Sequence, residues 1–226
     1  MTSDRSVLVD SLGVGVATGA YGVSFGAIAT GAGLDVWQAC AMSLAVFTGA
    51  SQFAFVGVVA SGGNPLAGAF TALLLGSRNT FYGLSLAPLL RLSRPARLAS
   101  AHLVIDESTA MAVTRNSTRQ ARLGFYWTGL SIFVLWNATT FLGALAGNAM
   151  GDPRDYGLDA AVGAAFLGLL WPRLTSWGAR FTALLAAAIA LGLVPFTAAG
   201  TPIIVGGAVA VLVGLLRHVT LPEGLP

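Results

Sequence analysis

Long apolar runs separated by short polar clusters make up this chain. Val7 to Leu34 is the first run and Trp37 to Ala60 the second, with Gln52 near its middle. The third starts at Pro65, a residue suited to the first turn of a helix because its missing N–H is harmless there. Pro65 to Ser77 would cover only about 20 Å at a rise of 1.5 Å per residue, against about 30 Å for the hydrocarbon core. The helix is therefore predicted to continue through Arg78, Asn79 and Tyr82 towards Pro88, which puts Arg78 inside the membrane or near its inner third, either snorkelling to the interface or paired to a carboxylate in a polar cavity. Leu123 to Ala149 is the fourth run, with Asn137, Thr139 and Thr140 near its middle. Leu158 to Trp171, Phe181 to Thr197 and Pro202 to Leu216 follow as the fifth, sixth and seventh.

Ala99 to Val113, with His102, Asp106 and Glu107, is too short to cross, at about 22 Å for a helix. It reads as interfacial, or as re-entrant and tucked against protein. His102 and Asp106 are four apart, so one helix would put them on one face.

Composition turns this pattern into a membrane assignment. Of 226 residues 55% are hydrophobic and only 9% charged, with mean hydropathy +0.77. A soluble surface needs roughly 25% charged residues. The prediction is a single all-α polytopic domain over 1–226 in a bacterial-type cytoplasmic (inner) membrane. The net charge of +3 comes from arginine alone and reports topology, with no basic face for nucleic acid. Arg91, Arg94 and Arg97, then Arg115, Arg119 and Arg122, mark a cytoplasmic side, as do Arg173, Arg180 and Arg217. Asp152 to Asp155 reads as an outside turn. Counting back gives about seven spans, N-terminus outside and C-terminus cytoplasmic. Ala27-Ile-Ala29 has the form of a signal-peptide cleavage site, but Asp4 and Asp10 deny the leading segment a basic start, so cleavage is not expected.

Gly15, Gly19, Gly22 and Gly26 form one small-residue stripe, and Gly143, Gly147 and Gly151 another. Such stripes let helix backbones approach closely. Together they exceed what one internal contact needs, so a partner helix is expected. Short likenesses, Ala67 to Leu74 with Trp177 to Leu185 and Gly33-Leu-Asp35 with Gly157-Leu-Asp159, suggest repeat units 7–90 and 123–199 in a 3+3 inverted arrangement, with an extra helix at 202–216.

Three chemistries come into view. Gly22-Val-Ser-Phe-Gly26 has the form of a nucleophile elbow, and an intramembrane serine protease would need Ser24 beside a base such as His102. One cysteine, Cys40, and two distant histidines offer no metal cluster, and no cofactor is expected. The richer set is Ser51, Gln52, Arg78, Asn79, Tyr82, Asp106, Glu107 and Asn137. It supplies donors, acceptors and both signs of charge, as an amino acid zwitterion requires. The substrate carboxylate would sit at a broken-helix N-terminus or on Arg78. Gln52 and Asn137 also read as helix–helix glue, and Asp106 and Glu107 as a solvated loop.

Phe47-Thr-Gly-Ala-Ser-Gln-Phe53, Ser77-Arg-Asn-Thr-Phe-Tyr-Gly-Leu-Ser-Leu86 and Asp106-Glu107 resemble the AzlC-type branched-chain amino acid export permeases, over about Gly13 to Leu216. The resemblance implies the large subunit of a two-component exporter, partnered by a small hydrophobic AzlD-type subunit. Relatives are also labelled membrane components of ATP-driven transporters, but the chain has no G-x-x-x-x-G-K-[ST] loop. Where family members place an acidic residue before the arginine, this chain has Gly76-Ser77. Proton coupling is therefore expected to fall on Asp106 or Glu107, with Arg78 as electrostatic partner.

Overall fold

The computed structural model describes residues 3–150, 167, 168, 170, 171, 174–198 and 200–220. All regular structure among them is helical. The core is apolar, with Phe25, Val56, Phe125 and Ile132 buried, and Ser11, Ser43, Gln52, Ser108, Thr128 and Thr140 are fully buried within it, while Val16, Leu66, Leu73, Phe81, Leu84 and Val134 face outward. An apolar outer face suits lipid, as expected of an all-α polytopic membrane protein.

α1 (Asp4–Ala20) and α2 (Gly22–Gly31) form one span, interrupted only at Tyr21. Ser3 caps its start by accepting from the Ser6 N–H at 3.2 Å. Asp35 caps α3 (Val36–Val46), and Gln38 returns the bond to the Asp35 N–H, a reciprocal cap. α4 spans Ala50–Ala60. Asn64 caps α5 (Pro65–Gly76), and α6 (Arg78–Leu90) follows after Ser77, whose dihedrals are still helical. Arg91, at φ 48°, ends α6 in the left-handed region. α7 (Arg94–Ala101) and α8 (Asp106–Val113) are short. α9 (Thr118–Met150) has 33 residues and is about 50 Å long. α10 (Trp177–Leu193) runs into a 3₁₀ turn, Val194–Phe196, before α11 (Thr201–Thr220).

α9 is the axis on which the rest is read. Asp10 and Asp4 pair with Arg115 and Arg119 just before and at its start, at 3.1 and 2.9 Å. A Cβ at Gly15 would overlap Ser131, at Gly19 Leu135, at Gly26 the Thr140 carbonyl, and at Gly143 the backbone of Val23. Thr139 Oγ1 donates to the Gly19 carbonyl at 2.5 Å. Residue numbers rise together along both helices, so α1–α2 runs parallel to α9.

Two expectations change here. The two glycine stripes fill each other, so they do not await an outside helix. And the N-terminus lies at the same end as Arg115, Arg119 and Arg122, not opposite them; the first helices of the expected repeat units enter from one end, not two. The fifth expected span, the Asp152 to Asp155 turn, Gly151, Gly157 to Asp159 and Arg173 lie outside the described residues.

The expected second span does not cross. Trp37 contacts Phe141, Ser43 meets Thr140, and Phe47 packs edge-on against Phe133, so α3 runs back along α9. At Phe47 to Gly49 the chain reverses, Gly49 taking φ 61°. α4 then returns: Phe53 packs on Phe25, Phe55 faces Gly68, and Ser51 faces Gly76. α3–α4 is thus a re-entrant hairpin from the end where α9 finishes. α5–α6 crosses the other way, since Arg122 at the start of α9 donates to the carbonyls of Leu90 and Arg91 at 2.7 and 2.8 Å.

The segment that read as interfacial or re-entrant is a second hairpin, entering from the arginine end. Ser100 bonds Tyr126 at 2.7 Å, the His102 ring reaches Phe133, and then Leu103 and Met111 pack on Gly129 and Gly124 on the way back. It is two helices, not one, so His102 and Asp106 do not share a face. Ser108 Oγ accepts from the Ile105 N–H at 3.2 Å, which starts a new helix at Asp106.

Candidate functional site

The hairpin tips meet halfway along α9, where Phe47 contacts the His102 ring at 5.8 Å between centroids. Beside this contact lies a cavity of about 290 Å³. One wall is the first tip, Phe47, Thr48, Gly49 and Ala50 with Phe53; another is the second tip, Ile105, Asp106 and Glu107. Ala17, Thr18 and Tyr21 at the α1–α2 interruption, and Ile132 and Trp136 of α9, complete it. Trp136 is held by stacking on Phe25 and edge contact with Phe53.

Two helices begin at this cavity. The first turn of any helix leaves backbone N–H groups without intrahelical partners. At α4, Gln52 Oε1 accepts the Gly49 N–H at 3.0 Å, and no side chain caps the groups that follow. Its start therefore presents a bare positive end. α8 starts with Asp106 and Glu107, so its end carries its own anions. The two starts differ in charge across one apolar cavity.

Arg78 sits behind this wall. Its Nη2 donates to Asp106 Oδ2 at 2.7 Å, with both side chains about four-fifths buried. Of the two readings open for Arg78, the pair with a carboxylate is the one found, and it anchors the tip of the second hairpin to α6. Arg78 itself does not line the cavity.

Other residues singled out in the sequence lie elsewhere. Gln52 is fully buried and its amide shapes the tip. Ser51 is buried with its Oγ towards Gly76 on α5. Asn79 and Tyr82 lie on α6 and do not line the cavity. Asn137 donates to the Phe133 carbonyl of its own helix at 2.8 Å. Ser24 and His102 are not hydrogen-bonded to each other; the rings around His102 are Phe47 and Phe133.

Sequence reading missed Thr48, Gly49 and Trp136. A signal for the first two was present: a glycine with a glutamine three residues on, inside a long apolar run, is a helix-start signature. Nothing local marked Trp136.

Comparison with known proteins gives the lineage. The profile of the AzlC protein family matches residues 13–150. An Archaeoglobus fulgidus protein, described as an uncharacterized membrane protein, is 31% identical over 172 residues, covering 75% of each chain. No solved structure matches. The family match covers both hairpins, all of α9 and every wall of the cavity, and with it the chain belongs to the AzlC family of membrane proteins.

Proposed function

We propose that this chain is a secondary-active, proton-coupled exporter of branched-chain or other small apolar amino acids. The carrying observation is the half-depth cavity between one bare and one acidic helix start. A zwitterion suits it: carboxylate at the start of α4, ammonium towards Asp106 and Glu107. Helix starts at the midplane receive carboxylates in broken-helix transporters. Phe47, Phe53, Ile105, Ile132 and Trp136 offer apolar surface to a branched side chain.

Coupling follows from the acidic start. An ammonium group beside a carboxylate favours its charged form, and departure of that ammonium raises its proton affinity. Asp106 and Glu107 both line the cavity, and the travelling proton is assigned to this acidic pair, with Arg78 as its electrostatic partner. A membrane potential supplies about 2.3 kcal/mol per charge per 100 mV.

Placing the arginine end in the cytoplasm puts Arg91, Arg94, Arg97, Arg115, Arg119, Arg122 and Arg180 inside, in a cytoplasmic membrane. α11 packs Gly200 near Ala67 and Gly207 near Leu74, so it runs alongside α5 and ends on that same side. Both termini are then cytoplasmic. A small hydrophobic membrane subunit belongs to the same reading and rests on the family likeness alone.

The test is reconstitution with and without such a subunit, followed by efflux of labelled leucine under an imposed pH gradient. Faster efflux with protons moving inward supports the proposal. Efflux indifferent to the gradient removes the coupling, and efflux that needs ATP and a soluble ATPase replaces it with an ATP-driven mechanism.

A further inference from the structure

We propose that α1–α4 and α5–α8 are two copies of one unit, inverted with respect to each other, and that their hairpins are equivalent gates, each closing the cavity from one end. For its purpose this rests on the transport reading; its geometry stands apart from that reading.

One constant offset in residue number relates the interruption and the hairpin tip of the two stretches, although their outer helix ends differ by a few residues. It takes the end of α1 at Ala20 to the end of α5 at Gly76, and the start of α2 at Gly22 to the start of α6 at Arg78. It takes the start of α4 at Ala50 to the start of α8 at Asp106. Finer details obey it too. The Ser24 N–H bonds the Tyr21 carbonyl, and the Thr80 N–H bonds that of Ser77, both as the chain leaves its interruption. Gln52 accepts the Gly49 N–H, and Ser108 accepts the Ile105 N–H. Two interruptions, two tips and two tip bonds agreeing on one offset is more than chance likeness between helices.

Direction supplies the inversion. α1–α2 runs parallel to α9 and α5–α6 against it. The α3–α4 hairpin enters from the far end of α9 and α7–α8 from the arginine end. An axis across the membrane-spanning direction exchanges the two, and the cavity lies where their tips meet. A site between inverted repeats is served by movement of one repeat against the other around it. Symmetry then assigns the gates: what α3–α4 does for one end, α7–α8 does for the other. The side chains at the tips have diverged. Ala50-Ser51 corresponds to Asp106-Glu107, which leaves one helix start bare and the other acidic.

The test locks each hairpin to α9. In a Cys40→Ser background, Thr18→Cys on the cavity wall reports access to an impermeant thiol reagent from either face of oriented vesicles. Ser43→Cys with Thr140→Cys, whose native oxygens are 3.5 Å apart, locks the first hairpin. Leu103→Cys with Gly129→Cys locks the second, and Met111→Cys with Gly124→Cys replaces it where that pair does not reach the membrane. Oxidation of the first pair is expected to abolish labelling from the face where α9 ends. Oxidation of the second should abolish labelling from the arginine face, and reduction should restore both. Locks that leave labelling unchanged, or a single lock that controls both faces, overturn the proposal. None of these readouts uses a substrate, so a negative leucine experiment and a negative gate experiment are separable.

Discussion

At the scale of the residue, the Arg78–Asp106 pair ties sequence to mechanism. It joins α6 to the tip of a hairpin at 2.7 Å. A hydrogen bond to a charged group contributes about 1.5–3 kcal/mol. Asp106→Asn and Arg78→Gln should each lower the thermal midpoint in detergent. The double variant should lose less than the sum of the two, because each single change strands the other partner; strict additivity would show that the pair does not act as a unit. At least one of Asp106→Asn and Glu107→Gln is expected to lose gradient-driven efflux of leucine while keeping downhill exchange. Uphill export at the parental rate by both variants would move the proton elsewhere. The continuation of the chain as helix past Ser77 was legible in the sequence, since a helix ending there would be too short to cross. The partner of Arg78 was not singled out there, because Asp106 and Glu107 were equal candidates until Ser108 set where α8 begins.

At the scale of the element, glycines decide how closely helices lie. A Cβ at Gly143 meets the backbone of Val23, whereas one at Gly13 meets nothing within 4 Å. Gly143→Ala should therefore destabilise by about 1–3 kcal/mol through overpacking. Gly13→Ala should be neutral or gain up to about 1 kcal/mol from helix propensity. Thermal unfolding of both variants in the same detergent checks the contrast, and equal midpoints would remove the packing argument. Gly49 differs in kind: at φ 61° it needs the left-handed region, so Gly49→Ala should cost about 1–2 kcal/mol and disturb the first tip. The stripes themselves were visible in the sequence. That they match each other was not, because the spacing within one helix says nothing about which helix lies against it.

At the scale of the whole molecule, the arrangement of ends is the testable claim. In the Cys40→Ser background, Ser3→Cys and Ser93→Cys should be labelled by an impermeant thiol reagent from one face and Asn64→Cys from the other. Labelling of Ser3→Cys and Ser93→Cys from opposite faces would restore the alternation counted from the sequence and refute the parallel α1–α9 pair. That count failed for a physical reason. Trp37 to Ala60 is apolar on average and long enough to cross, and hydropathy records only that a segment avoids water, not whether it passes through or returns. By itself the sequence determined the solvent, the all-helical class, the glycine faces and the continuation of α5 into α6, since each follows from composition, helix rise or spacing along one helix. Only the tertiary structure decided that two segments turn back at Gly49 and Ile105, that their tips share one cavity, and that the N-terminus lies with the arginines. Those depend on contacts between residues remote in sequence, set by how close glycine lets two backbones come and by which helix start finds an acceptor for its N–H groups.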